Sequence, residues 1–169
     1  MPDHIFDTTV LSNFAATGRL GLLKNRYRGT AYTTGEVSDE LRKGVKAGYA
    51  YLGPILQGTE GSAPDEWIQI LVPQSANERR LRAELGDRLG AGEASCLALA
   101  ISRGLTLVTD DLAARRLAKE RNVSVTGTLG ILIGLVRGGL LSLSEANLTL
   151  ASMIQQRYRS PVDRLDEFV

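Results

Sequence analysis

Acidic residues stand directly after two segments whose sequences predict buried strands. Asp7 follows residues 4–6 (HIF), and Asp110 and Asp111 follow residues 105–109 (LTLVT), a nearly continuous apolar run typical of a parallel strand. In open α/β sheets, ligands bind beyond the carboxyl ends of the strands, near the point where the strand order reverses. A single carboxylate at such a position is more often a helix cap or a turn residue. The two positions together predict one acidic rim.

Three further acids lie on predicted helices that could aim them at this rim. Glu93 stands at the start of a helix, where its simplest role is a favourable charge worth about 0.3–1 kcal/mol. Glu36 and Glu40 lie four residues apart, so they face the same side of another helix. Alternatively, both acids lie on a solvated helix face with lysines nearby. The spacing does not show which of the two acids would face the rim.

Carboxylates gathered at one rim predict a bound cation, because adjacent like charges raise one another's pKa unless a cation neutralises them. The available ligands are oxygens, and the lone histidine, His4, is expected to be a structural strand residue. An oxygen-only ligand set favours Mg²⁺ or Mn²⁺ over zinc. Such ions activate water and stabilise the charge that develops when a phosphodiester is cleaved. Phosphodiester hydrolysis is therefore the predicted chemistry.

The elements that must position these acids alternate between strands and helices. Strands are predicted at residues 4–6, 30–34, 67–71, 105–109 and 123–125. Helices are predicted after Asp7, from Gly35, beyond Ser75, and at residues 20–24, 91–102, 112–121, 128–136 and 144–157. Thr8 or Thr9 is expected to cap the first helix, and residues 49–64, rich in Gly, Pro and aromatics, are expected to be irregular. The pattern predicts an α/β fold whose central parallel sheet has helices on both faces.

The composition predicts one domain in a reducing compartment. A chain of 169 residues, 43% of them hydrophobic, can bury a core without disulfides, and we expect one domain over residues 1–160 with a tail at 161–169. Cys96 lies in an apolar stretch and is expected to be a buried, inert thiol. The start of the chain lacks signal-peptide features, and no apolar run approaches the roughly 20 residues that cross a bilayer. We therefore expect a soluble, cytoplasmic protein. The net charge of +1 neither supports nor excludes a polyanionic partner, although basic clusters lie at residues 24–28 and 157–159.

Four motifs, taken in order, resemble those of the PIN-domain ribonucleases, particularly the branch near the VapC-type toxins of toxin–antitoxin pairs. The matching segments are residues 5–11 (IFDTTVL), 37–41 (VSDEL), 92–100 (GEASCLALA) and 107–111 (LVTDD), the last followed by 115–118 (RRLA) and 125–130 (VTGTLG). Each motif alone is a weak signal, but their order, spacing and placement at strand ends are together specific. The resemblance covers nearly the whole chain and implies a three-layer α/β/α fold with about four to five parallel strands.

The resemblance also implies which residues form the site. When the motifs are matched one by one, the resemblance implies that Glu40, rather than Glu36, is the acid of the site. It implies a metal site, for Mg²⁺ or Mn²⁺, made by Asp7, Glu40, Glu93 and Asp110, with Asp111 as an additional ligand or outer acid. Thr8 and Thr109 would orient these ligands through hydrogen bonds, and Arg115 would hold carboxylates or meet an RNA phosphate. Which of Asp110 and Asp111 makes the principal bond stays open, and Asp110 is our choice.

The function implied by the resemblance is divalent-metal-dependent endonucleolytic cleavage of RNA, by the toxin of a toxin–antitoxin pair. It implies a homodimer and an antitoxin protein as partner, and the apolar faces of residues 129–135 and 148–154 could pair two subunits or serve the core alone. The alternative is a catalytically silent protein of the same fold that binds RNA or another protein. The sequence shows no obvious stacking surface for particular bases.

Overall fold

Five parallel strands form the centre of the structure, a computed structural model that describes residues 2–60 and 65–169. They are β1 His4–Phe6, β2 Ala31–Thr34, β3 Gln69–Leu71, β4 Thr106–Val108 and β5 Val125–Thr126. The strand order is β3-β2-β1-β4-β5, and His4 pairs with Ala31 on one side and with Thr106 on the other. The order therefore reverses between β1 and β4, which puts a crevice beyond the carboxyl ends of these two strands.

Helices cover both faces of the sheet. They are α1 Thr8–Ala16, α2 Leu20–Tyr27, α3 Gly35–Lys46, α4 Gly53–Glu60, α5 Ala76–Gly86, α6 Ala91–Arg103, α7 Leu112–Glu120, α8 Thr128–Arg137 and α9 Leu143–Gln155. Single 3-10 turns lie at Ala50–Leu52 and Asp166–Phe168. This arrangement is the predicted three-layer α/β/α fold, and it confirms the expected number of strands.

The core lies on both sides of β1 and β4 because these central strands are buried on each face. Phe6 and Leu107 are fully buried, as is Leu97 on α6. Small residues such as Ala98 let α6 approach the sheet closely, and nearly every residue of α6 from Ala94 to Ala100 is buried. The thiol of Cys96 is buried and free, as predicted.

The prediction that residues 49–64 are irregular is wrong where the structure describes them. Residues 50–52 form a 3-10 turn and Gly53–Glu60 form α4. Pro54 lies in the first turn of this helix, where its missing N–H group costs no hydrogen bond, and Ile55 is fully buried. Residues 61–64 lie outside the described residues. The Gly and Pro that suggested an irregular segment instead mark the start of a short helix.

The cap of α1 also differs from the prediction. Asp7, rather than Thr8 or Thr9, is the N-cap residue, and its side chain accepts a hydrogen bond from the amide of Thr9. Asp7 thus caps a helix and also takes part in the site described below. The capping role of Asp7 therefore does not exclude it from the candidate site.

The residues after α9 pack onto the preceding helices. Leu165 is fully buried, and its amide donates a hydrogen bond to Asn147 Oδ1 at 2.8 Å. Arg137 Nη2 donates to the carbonyl oxygen of Phe168 at 2.6 Å. Among the described residues, none of the helices has both the length and the apolar character needed to cross a membrane.

Candidate functional site

The predicted acids collect at the crevice where the strand order reverses. Asp7 follows β1, and residues 109–111 follow the neighbouring β4. Glu40 lies on α3, and Glu93 lies in the first turn of α6. The contacts of each acid show which of them share one environment.

Asp7 is the most deeply buried of these acids, with 1% of its surface exposed. Its Oδ1 accepts hydrogen bonds from the amide of Thr9 at 2.9 Å and from the Thr9 hydroxyl at 2.7 Å, while its Oδ2 accepts one from the Thr109 hydroxyl. Burial raises the pKa of Asp7 to about 7, and the nearby charge of Glu93 raises it further, against the opposite effect of the threonine hydrogen bonds. A cation in the crevice would therefore favour the ionised carboxylate.

Glu40 connects α3 to two other elements of the site. Its Oε2 accepts a hydrogen bond from the Thr8 hydroxyl at 2.5 Å, and its Oε1 accepts one from the amide of Gly92 at 3.0 Å. Glu36, one turn earlier on the same helix, instead forms an ion pair with Arg82 on α5 at 2.6 Å. The structure thus separates two acids that the spacing had left equivalent.

Glu93 lies in the electrostatic field of the other acids. Its pKa is raised first by burial and then by the negative charges of Glu40 and Asp111, although main-chain hydrogen bonds at the start of α6 lower it. The charge of Glu93 in turn raises the pKa of Asp7. The charge of Glu93 therefore acts on, or is acted on by, the carboxylates of Glu40, Asp111 and Asp7.

Asp111 caps α7 and faces this acidic group. Its Oδ1 accepts a hydrogen bond from the amide of Ala114 at 2.7 Å, and its own amide donates to the Thr109 hydroxyl at 3.1 Å. Thr109 therefore contacts both Asp111 and Asp7. The same threonine positions the acids that follow β1 and β4.

Asp110 is held by a different set of contacts. Its Oδ1 accepts from the amide of Thr128 at 2.9 Å, and its Oδ2 accepts from the Thr128 hydroxyl at 2.5 Å and from Asn13 Nδ2 at 3.0 Å. The amide of Asp110 donates to the Thr9 hydroxyl at 2.9 Å. The carboxylate of Asp110 thus connects α1 to the start of α8, whereas Asp111 interacts with Glu93.

Arg115 contacts the main chain beside Asp110. Its Nη1 donates a hydrogen bond to the carbonyl oxygen of Thr109 at 2.9 Å. Gly127 packs against this group so closely that a Cβ there would collide with Asp110 Oδ1 and lie 2.9 Å from Arg115 Nη1. A residue without a side chain is therefore required at position 127.

Sequence reasoning missed Thr9, Asn13 and Thr128 as parts of the site. Thr9 and Asn13 lie four residues apart on α1, so they share the face of the helix that meets Asp110. The available signal was the helical spacing of these two polar residues. Thr128, 18 residues after Asp110, lies in the segment 125–130 that forms part of the motif resemblance, but the resemblance gave it no role.

The acids suit a hard divalent ion in their chemistry, because their ligand atoms are oxygens and their charges repel one another. Their side chains do not surround a single point. Across residues 2–60 and 65–169, no three acidic, histidine or cysteine side chains lie close enough together to hold one ion. Ion binding would therefore draw the carboxylates together from these positions.

A family model described as a PIN domain matches residues 3–169, nearly the whole chain. A search of curated proteins found no match. The parallel sheet between two helical layers agrees with the fold that the motif resemblance implied. PIN domains are in general nucleases. This chain belongs to the PIN-domain family.

Proposed function

We propose that this chain is a divalent-metal-dependent endoribonuclease that cleaves phosphodiester bonds in RNA. The observation that carries the proposal is that contacts at the strand-order reversal link the acids: the Thr109 hydroxyl contacts both Asp7 and Asp111, and the amide of Gly92, next to Glu93, donates to Glu40. Glu93 is repelled by Glu40 and Asp111 and repels Asp7. A divalent cation among these carboxylates would compensate the repulsion.

In this proposal Asp7, Glu40, Glu93 and Asp111 hold Mg²⁺ or Mn²⁺. When bound, the ion would activate a water and stabilise charge on the phosphodiester oxygens. Thr8 would orient Glu40, and the Thr109 hydroxyl would hold Asp7. This assignment changes our first choice between the two adjacent acids. We now place Asp111 among the ligands and give Asp110 a supporting role.

Cleavage of single-stranded RNA by purified protein tests this function. We expect cleavage with Mn²⁺, loss of cleavage with EDTA, and loss of cleavage in Asp7→Asn. Asp39→Asn is the matched control, since Asp39 is exposed on α3 and pairs with Arg42 at 3.0 Å. Cleavage that survives both EDTA and Asp7→Asn would refute the proposal.

A second candidate is a PIN-fold protein that binds RNA or a protein without cleaving it. The separation of the acids in the described part of the chain favours this alternative. It predicts RNA binding that is unchanged by Asp7→Asn, with no cleavage in any divalent metal. The assay above therefore separates the two candidates.

The narrower proposals rest on the motif resemblance to VapC-type toxins. They are RNA rather than DNA as substrate, a toxin role with an antitoxin protein as partner, a cytoplasmic location and a homodimer. A toxin should arrest growth when expressed in bacteria, and Asp7→Asn should not. The homodimer rests on the resemblance alone, and light scattering in solution would detect it.

A further inference from the structure

A cavity of about 170 Å³ opens beside Asp110, next to the acidic group. Its wall includes Asp110, Arg115, Leu129, Tyr158, Arg159 and Pro161. We infer that this cavity binds one unstacked base of the RNA strand, adjacent to the bond that is cleaved. The inference rests on the proposed function and adds a subsite to it.

The size and the apolar wall of the cavity suit one heterocyclic base. A cavity of about 150 Å³ accommodates a single benzene ring, so about 170 Å³ is sufficient for one base and too small for two stacked ones. Leu129, Tyr158 and Pro161 provide the apolar wall. Proteins that recognise single-stranded RNA stack unpaired bases on such aromatic and apolar surfaces.

The polar groups of the wall match the edge of a base better than an isolated anion. Asp110 Oδ1 accepts one hydrogen bond, from the amide of Thr128, so it can accept another from an exocyclic amino group, and the charge of Asp110 disfavours a phosphate at the same point. Arg115 is fixed by its hydrogen bond to the Thr109 carbonyl, so its guanidinium offers a planar surface and further donors. Arg159 is exposed at the rim, where it can meet the phosphate of the same nucleotide.

The end of α9 places Tyr158 at the cavity through a strained turn. Arg157 has a φ of 75°, a conformation that favours glycine. The amide of Arg157 donates to the Ile154 carbonyl, and the amide of Tyr158 donates to the Met153 carbonyl, each at 3.0 Å. These two bonds close the helix end and turn the chain back toward the cavity. A non-glycine residue in this conformation costs about 1 kcal/mol or more, which is often tolerated next to a binding site.

The cavity connects directly to the proposed metal acids. The amide of Asp110 donates to the Thr9 hydroxyl, which itself donates to Asp7 Oδ1 at 2.7 Å. An RNA strand with a phosphate at the acids would therefore have a neighbouring nucleotide close to the cavity. This proximity favours RNA over a free small molecule as the occupant.

An abasic scan tests the inference without requiring cleavage. Fluorescent single-stranded RNA decamers, each with one abasic nucleotide at a different position, are bound to the full chain in EDTA, and affinity is measured by anisotropy. In the wild type, we expect one position to stand out with about tenfold weaker binding, as the loss of one stacked base predicts. In Tyr158→Leu, that position should no longer differ from its neighbours. Arg121→Gln, at the exposed end of α7, is the control and should keep the wild-type pattern.

Three results would overturn the inference: no RNA binding, equal effects at every position, or an unchanged pattern in a folded Tyr158→Leu variant. Equal effects would indicate that only the phosphate backbone is bound. If Tyr158→Leu fails to fold, Leu129→Ala in the same wall takes its place, and an unchanged pattern there overturns the inference. If one abasic position weakens binding but no metal-dependent cleavage is seen, the base-binding cavity is supported and the endonuclease proposal is refuted. If RNA is cleaved but all abasic positions are equivalent, the endonuclease proposal is supported and the base-binding cavity is refuted.

Discussion

The carboxylate of Glu40 lies against the backbone of Gly92, whose amide donates a hydrogen bond to Glu40 Oε1 at 3.0 Å. A Cβ at Gly92 would lie 2.7 to 2.8 Å from the two carboxylate oxygens. This contact joins α3 to the first turn of α6, the turn that carries Glu93. Two of the proposed ligands are therefore positioned by one main-chain contact.

Gly92→Ala should reduce RNA cleavage far more than it reduces stability. The added methyl group must displace the Glu40 carboxylate, whereas alanine in a helix is intrinsically favoured over glycine by about 1 kcal/mol. We expect cleavage to fall about 10- to 100-fold, as for loss of other groups that orient a metal ligand. Gly134→Ala on α8 is the control, because a Cβ there meets nothing within 4 Å. Wild-type cleavage by Gly92→Ala would show that the position of Glu40 is unimportant.

Asp111→Asn should mainly reduce cleavage, whereas Asp110→Asn should mainly reduce stability. Asparagine caps helices as well as aspartate, so Asp111→Asn keeps the start of α7 and loses the ligand charge. In Asp110→Asn, the new amide group faces donors from Asn13 and Thr128, and an unsatisfied group there costs about 1–3 kcal/mol. We expect Asp111→Asn to lose cleavage with its melting temperature intact, and Asp110→Asn to melt lower. A greater cleavage defect in a folded Asp110→Asn variant would restore Asp110 as the ligand.

Mn²⁺ should stabilise the folded protein through Glu93. A ligand at 100 times its dissociation constant adds about 2.7 kcal/mol of stability, which for a domain of this size raises the melting temperature by roughly 5 to 10 °C. Glu93→Gln should lose most of this increase, while Glu84→Gln on the exposed face of α5 should keep it. Calorimetry with and without the metal measures the difference. An equal increase in melting temperature in both variants would show that the ion does not bind at Glu93.

Glu78 should give a pH-dependent contribution to stability that is independent of the site. Hydrogen bonds from Arg103, at 2.9 and 3.1 Å, lower the pKa of the Glu78 carboxyl from 4.5 to about 2. Because the folded state holds the ionised form, the stabilisation is complete above pH 4.5 and is lost as the pH falls toward 2.

We therefore expect Glu78→Gln to lower the free energy of unfolding by about 2 kcal/mol at pH 7, the range for a charged hydrogen bond. The difference from wild type should shrink between pH 4.5 and 2 in urea titrations. Glu84→Gln again serves as the control. A difference that does not change with pH would mean that packing, rather than the charge, is what the substitution removes.

The fold was predictable because its central strands are buried on both faces. Such strands are continuous apolar runs, and each is followed by a helix with a regular apolar face. The same regularity placed Asp7 and the pair Asp110 and Asp111 at strand ends on one rim. By contrast, α4 was missed because Gly53 and Pro54 are also typical of irregular segments.

The contacts within the site were less predictable. Asp110 and Asp111 are neighbours in sequence, yet successive side chains at a strand end point in different directions, and only the fold decides which one meets Glu93. Tyr158 reaches the cavity through a turn at Arg157, a residue type that does not indicate a left-handed conformation. The sequence could therefore locate the acidic rim but not the cavity beside it.

Glu40 and Glu36 provide the most direct test that the acidic group is an active centre. Both are on α3, four residues apart, but Glu40 contacts Thr8 and Gly92 whereas Glu36 pairs with Arg82. The measurement is the single-turnover rate of Mn²⁺-dependent RNA cleavage by Glu40→Gln and Glu36→Gln. Loss of a metal ligand should slow Glu40→Gln by about 100-fold or more, since each tenfold corresponds to about 1.4 kcal/mol, while Glu36→Gln should stay within about threefold of wild type. Equal rates in the two variants, or no Mn²⁺-dependent cleavage by the wild type, would contradict a metal-dependent nuclease centred on these acids.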